Sequence, residues 1–148
     1  MNGTSPLPST AGAPSPWPDD ALNYAPLPAT GADGFPQIFL LQAAGVVYRI
    51  TMTVYFSDPE FVLSPKYANT FFDLPDPVRG LYLNLKLELE NLPDPTRLLG
   101  ARRVVLAMPI ALGPLRFRFT RARVAQANLA GPGSFGSELL AEVAVAHG

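Results

Sequence analysis

The chain has no cysteine, and its single histidine, His147, stands next to the last residue. Without thiols there is no disulfide framework and no thiolate metal site, and one imidazole cannot build a zinc centre. Positive charge is missing from the N-terminal region, where no Lys or Arg precedes Arg49. Continuous apolar runs are short. IFLL and VVLAMPIAL fall far below the ~20 residues of a membrane-spanning helix, and the N-terminus lacks the basic and apolar segments of a secretory leader. No Gly-x-Ser-x-Gly elbow, Walker loop, dinucleotide fingerprint or His-Glu-x-x-His helix occurs. These absences lead us to expect a soluble, non-enzymatic protein, with no catalytic residue, cofactor, metal or membrane partner.

What is present divides into two blocks. Residues 1–34 are rich in Pro, Ala, Ser, Thr and Gly. Each proline fixes φ and removes a donor, so neither helix nor ladder propagates, and an extended arm with polyproline stretches is expected. Such an arm is either a solvated tail or a strap laid on a neighbouring subunit. Trp17 and Tyr24, with Leu22 and Leu27, favour the strap, because aromatic anchors are common contact residues. Residues 35–148 form the second block, a β-rich globular domain.

In that block the apolar residues recur with period two. Tyr48, Ile50, Met52, Val54 and Phe56 share one face of VVYRITMTVYF. The Gly45 region reads as a hairpin connection joining residues 37–43 to 46–56. Leu81, Leu83, Leu85, Leu87 and Leu89 alternate with Tyr82, Asn84, Lys86, Glu88 and Glu90. Leucine favours helix, but a helix would scatter these leucines around its circumference, whereas a strand gathers them on one face. RRVVLAMPI reads as a strand weakened at Pro109. In PLRFRFTRARV the apolar phase slips after Thr120, as a bulge or the end of sheet coverage would cause. The terminal SELLAEVAVAH is read as a strand, with a helix as the competitor. The expected fold is all-β, a small antiparallel barrel or sandwich of about six to seven strands.

Asp-Pro occurs at Asp58, Asp76 and Asp94, each 18 residues after the last. The segments between them do not match in their apolar positions, so no solenoid repeat is implied. Asp followed by Pro favours a turn, and the interval is one strand plus one turn. The carboxylates are therefore read as punctuation.

Two groups of residues remain as a candidate partner interface. Phe61, Tyr67, Phe71 and Phe72 crowd the loop-like stretch 57–79, where a short helical turn is possible; they either pack on the sheet or face a partner. Arg102, Arg103, Arg116, Arg118, Arg121 and Arg123 lie on two consecutive candidate strands, with no acid between Asp94 and Glu138. If those strands pair, the arginines form one basic surface for a polyanion or an acidic protein. Alternation sends Phe117 and Phe119 to the opposite face, which argues against a base-stacking platform and hence against nucleic acid. Pairing of the arginines with Glu88, Glu90 or a neighbouring subunit is the simpler reading.

The order of GVVYRITMTVYF, GLYLNLKLE and LLGARRVVLAMPI, from Phe39 to Ile110, resembles the baseplate plug proteins of contractile-tailed phages. The Pro-rich arm and the 57–79 loop depart from that pattern as additions. The resemblance implies a structural virion protein at the distal end of the tail tube, assembled in the host cytoplasm. It would close the lumen before ejection and contact hub, spike and other baseplate proteins, and a homo-oligomer is expected. The alternative is a non-enzymatic β-barrel module that binds a small apolar ligand, a carbohydrate or nucleic acid, with a cavity lined by residues such as Phe56, Leu85 and Phe117.

Overall fold

In a computed structural model, which describes residues 22–93 and 96–146, the described residues form nine strands. They are β1 Ala25–Pro26, β2 Gln37–Ala43, β3 Val46–Phe56, β4 Phe71–Asp73, β5 Leu81–Leu89, β6 Leu98–Arg103, β7 Ile110–Leu112, β8 Leu115–Ala125 and β9 Glu138–Val145. One sheet has the order β2-β3-β5-β6. The other has the order β1-β9-β8-β4, with β7 also on β8. All pairings are antiparallel. Side chains of both sheets join in one apolar core, so the architecture is a two-sheet sandwich.

The four-stranded sheet follows from alternation. Ile50 pairs with Leu87, Met52 with Leu85 and Val54 with Leu83, so the apolar faces of β3 and β5 coincide residue by residue. Leu81, Leu83, Leu85 and Leu87 are all fully buried. Each such leucine contributes roughly 1.5–3 kcal/mol through burial, which outweighs the helical preference of an isolated leucine. The β2–β3 hairpin closes through Ala44 and Gly45, both at positive φ (53° and 78°), as a two-residue type I′ turn requires.

The five-stranded sheet is built around β8 and β9. Phe119 pairs with Ala141 and Arg121 with Leu140, so Thr120 is the extra residue of a bulge. That is the phase slip seen in the sequence. Leu115, Phe117 and Phe119 point to the core before the bulge, and Ala122 and Val124 after it. β7 and β4 share the other side of β8, at its opposite ends.

Four findings differ from or refine the sequence reading. RRVVLAMPI is not one strand. β6 stops at Arg103 and the chain crosses between sheets: Val104 N–H still donates to Leu83 O in the first sheet, and Ala107 N–H already donates to Phe119 O in the second. Ala107 turns the chain at φ 60°. The strand number exceeds the expected six to seven because β1, β4 and β7 are too short to leave a period. Glu88, expected on the polar outer face, is only 4% exposed. The register between β5 and β6 shifts at Leu87/Glu88, and Glu88 there accepts from Arg97 Nε at 2.9 Å. Finally, β6 and β8 lie in different sheets, so their arginines do not form the single basic surface that pairing would have produced.

The N-terminal block is partly built into the domain. β1 pairs with β9, Leu27 N–H donates to Ala141 O, and Leu27 and Phe35 enter the core. A buried amide organises the glycine-proline loop beside it. Asn128 Nδ2 donates to Gly131 O and Gly133 O, its Oδ1 accepts from Ser137 Oγ at 2.6 Å, and Phe35 N–H donates to Asn128 O. Every polar group of that side chain is thus satisfied, as its full burial demands.

The two Asp-Pro sites within the described residues act locally. Asp76 Oδ1 accepts from Arg79 N–H, its Oδ2 accepts from the Arg79 guanidinium at 2.9 Å, and its backbone pairs with Leu81 ahead of β5. Asp58 O accepts from Val62 N–H and opens a helical turn, α1, Pro59–Val62. Asp94-Pro95 lies outside the described residues.

Candidate docking edges

The aromatic residues singled out in the sequence are largely spent on the fold. Tyr24 is half-buried, with the Arg118 guanidinium 3.8 Å above its ring. Phe72 is fully buried on β4 and Tyr67 packs beside it, ring centroids 5.8 Å apart. Arg79 lies over both rings. Phe71 is half-buried under the Arg123 guanidinium at 4.5 Å. Phe61 sits in α1, and Trp17 lies outside the described residues.

The arginines divide in the same way. On β8, Arg118 Nε donates at 2.9 Å to Oε1 of Glu142, its register partner on β9, and Arg121 pairs diagonally with Glu138 of the same strand. Arg116 donates to the carbonyls of Gly113 and Leu115. These cations are tied to β9, to backbone or to aromatic rings of the same domain. The acids of the other sheet are engaged as well. Glu88 holds Arg97, and Glu90 holds Arg49 in a bidentate pair at 2.7 and 2.9 Å. The hydrogen bonds from Arg49 keep the Glu90 carboxyl below the usual glutamate range. Burial pushes the Tyr48 phenol above its ordinary value.

Arg102 and Arg103 differ from the rest in position. They sit at the end of β6, the edge of the four-stranded sheet, on opposite faces of the strand, since Arg102 pairs with Leu85 and Arg103 with Asn84. Both are exposed. Arg103 stacks on Tyr82 at 3.7 Å. With Val105, Met108, Pro109, Ile110 and Ala111 they line an open groove of about 300 Å³ where the chain crosses between sheets. Phe56, Leu85 and Phe117, the expected cavity lining, belong to or pack against the core instead.

The opposite edge of that sheet is β2, with the sequence QIFLLQA. It carries no charge, no proline and no glycine over its seven residues. Ile38, Leu40 and Gln42 are on the outer face, and Ile38 is 62% exposed. A two-residue hairpin makes Ala43–Val46 a mutually bonded pair, and alternation then bonds Leu41, Phe39 and Gln37 to β3. Ile38, Leu40 and Gln42 therefore turn their N–H and C=O groups away from β3. Among the described residues no strand pairs with that side. The sequence did contain a signal, an uncharged apolar heptad ahead of a hairpin, but strand order was needed to know that it forms an edge.

No family model, curated protein or solved structure matches the chain.

Proposed function

We propose that this protein is a structural subunit of a larger assembly, docking through a sheet edge, and that the assembly is the baseplate of a contractile phage tail. The observation that carries the reading is the β2 edge: a seven-residue uncharged strand whose outer side no strand pairs among the described residues. An open apolar edge invites pairing with another chain, and proteins that stay apart from their neighbours blunt such edges with charge, proline or bulges. β2 has none of these along its length. The ion pairs of the domain support the same reading, because Glu88, Glu90, Glu138 and Glu142 each hold an arginine of the fold. The place in the tail comes from the resemblance of the three segments that become β2–β3, β5 and the β6 crossover to baseplate plug proteins. In that role the domain closes the tube lumen and meets hub and spike proteins.

The test is location. Tailed particles produced from the genome that encodes this chain, banded to purity and labelled with antibody against it, should carry label at the distal tail tip. Particles complete in every tail structure yet lacking the chain would overturn the tail reading.

A second reading, a binding module for a small apolar ligand, is favoured by the groove at Arg102, Val105 and Met108. In that case Met108→Ala abolishes binding of the apolar ligand, and purified tailed particles carry no label.

A further inference from the structure

We infer that β2 pairs with β2 of a second copy of this chain, antiparallel across a two-fold axis at Leu40, which joins two four-stranded sheets into one continuous sheet. The inference deepens the assembly reading and rests on it only for why the edge stays open. The groups that face outward, those of Ile38, Leu40 and Gln42, are placed symmetrically about Leu40. An antiparallel strand bonds through alternate residues. In the register centred on Leu40, Leu40 meets its counterpart and Ile38 meets Gln42 of the other copy, so all outward N–H and C=O groups find partners and about six hydrogen bonds form. A shift by two residues leaves some of them unmet. The same register pairs Phe39 with Leu41 and Gln37 with Ala43 on the core-facing side, so each face continues in kind.

Charge separates this edge from the other. Self-pairing of β2 brings no charged side chain against its copy. Arg49, opposite Leu40 on β3, would lie about 14 Å from its counterpart, three strand spacings, and is already held by Glu90. Antiparallel self-pairing of β6 about its outward-facing Ala101 would instead set Arg103 against Leu99 and Arg102 against Gly100 of the other copy, across a strand whose own register is already broken, and moving the axis toward the arginines to escape this would place like charges opposite each other. A second copy is thus a fitting occupant for β2 and a poor one for β6. The contact is one strand wide, well below the area of standard stable interfaces, so a reversible, concentration-dependent dimer is expected.

Sedimentation equilibrium of the full chain, from low-micromolar to near-millimolar concentration, reads this directly. The natural chain should shift from monomer to dimer. Leu40→Lys places two cations on the axis and should weaken the dimer at least about tenfold. Ile38→Lys alone should weaken it too. Adding Gln42→Glu to Ile38→Lys should restore it, because each lysine then meets a glutamate of the other copy. All three positions lie on the outer face of an edge strand, and unchanged circular dichroism establishes that the variants fold. A natural chain that stays monomeric throughout overturns the inference, as does a dimer indifferent to Leu40→Lys or an Ile38→Lys defect that Gln42→Glu does not repair. A monomer would leave the tail location untouched, whereas a dimer absent from particles would defeat the location and leave the pairing standing.

Discussion

The two edges of the four-stranded sheet solve the same problem in opposite ways. β6 presents Arg102 and Arg103 at its end, one on each face, and its register against β5 is broken at Leu87/Glu88. β2 is regular over all its residues and carries no charge. Among the described residues neither edge has a pairing strand on its outer side, so the difference lies in side chains and regularity, the two features that decide whether an incoming strand is accepted. The comparison teaches that docking capacity can sit in what an edge leaves out.

That contrast can be broken most severely at β6. Replacing both cations, Arg102→Val with Arg103→Val, joins LLGA to VVLA as an uncharged apolar run and should turn the closed edge into an adhesive one. Most of the soluble protein should be lost to aggregates in light scattering, while the same pair changed to lysine stays soluble. The next effect tests how β6 is attached. Arg97→Ala removes the 2.9 Å partner of the buried Glu88 carboxylate, leaving Lys86 at 3.9 Å among the described residues, and should cost about 2–3 kcal/mol in urea unfolding. Gly45→Val forces a β-branched residue into the left-handed region at the β2–β3 turn, costing about 1–2 kcal/mol and loosening β2. The smallest effect is electrostatic. Glu90 is depressed by its hydrogen bonds from Arg49, so its contribution is present above the ordinary glutamate range and is lost as pH falls through the folded value. Glu90→Gln should therefore flatten the acid side of the stability–pH profile and leave its neutral side nearly unchanged in shape.

Legibility followed the length of the elements. β3 and β5 span 11 and 9 residues, long enough for period two to overrule the helical preference of leucine, and the β2–β3 hairpin announced itself at Gly45. The bulge at Thr120 was visible as a slipped phase. β1, β4 and β7 were not visible, since two or three residues have no period. The crossing at 104–109 was hidden because its apolar residues continue the pattern of β6, and the residue that turns the chain is Ala107 at positive φ rather than a glycine. The burial of Glu88 depended on Arg97 reaching it across a register shift that local pattern does not encode. The arginines of β6 and β8 looked like one group because sheet order is a property of long-range pairing. The same ignorance of order concealed β2 as an edge.

Amide hydrogen exchange, followed as protein concentration is raised, tests the central claim most directly, for it reads both edges in one sample. Protection at Ile38, Leu40 and Gln42 should grow with concentration while Ala101 and Arg103 on β6 stay unchanged. Equal behaviour at the two edges, or protection that grows on β6 alone, would contradict the account.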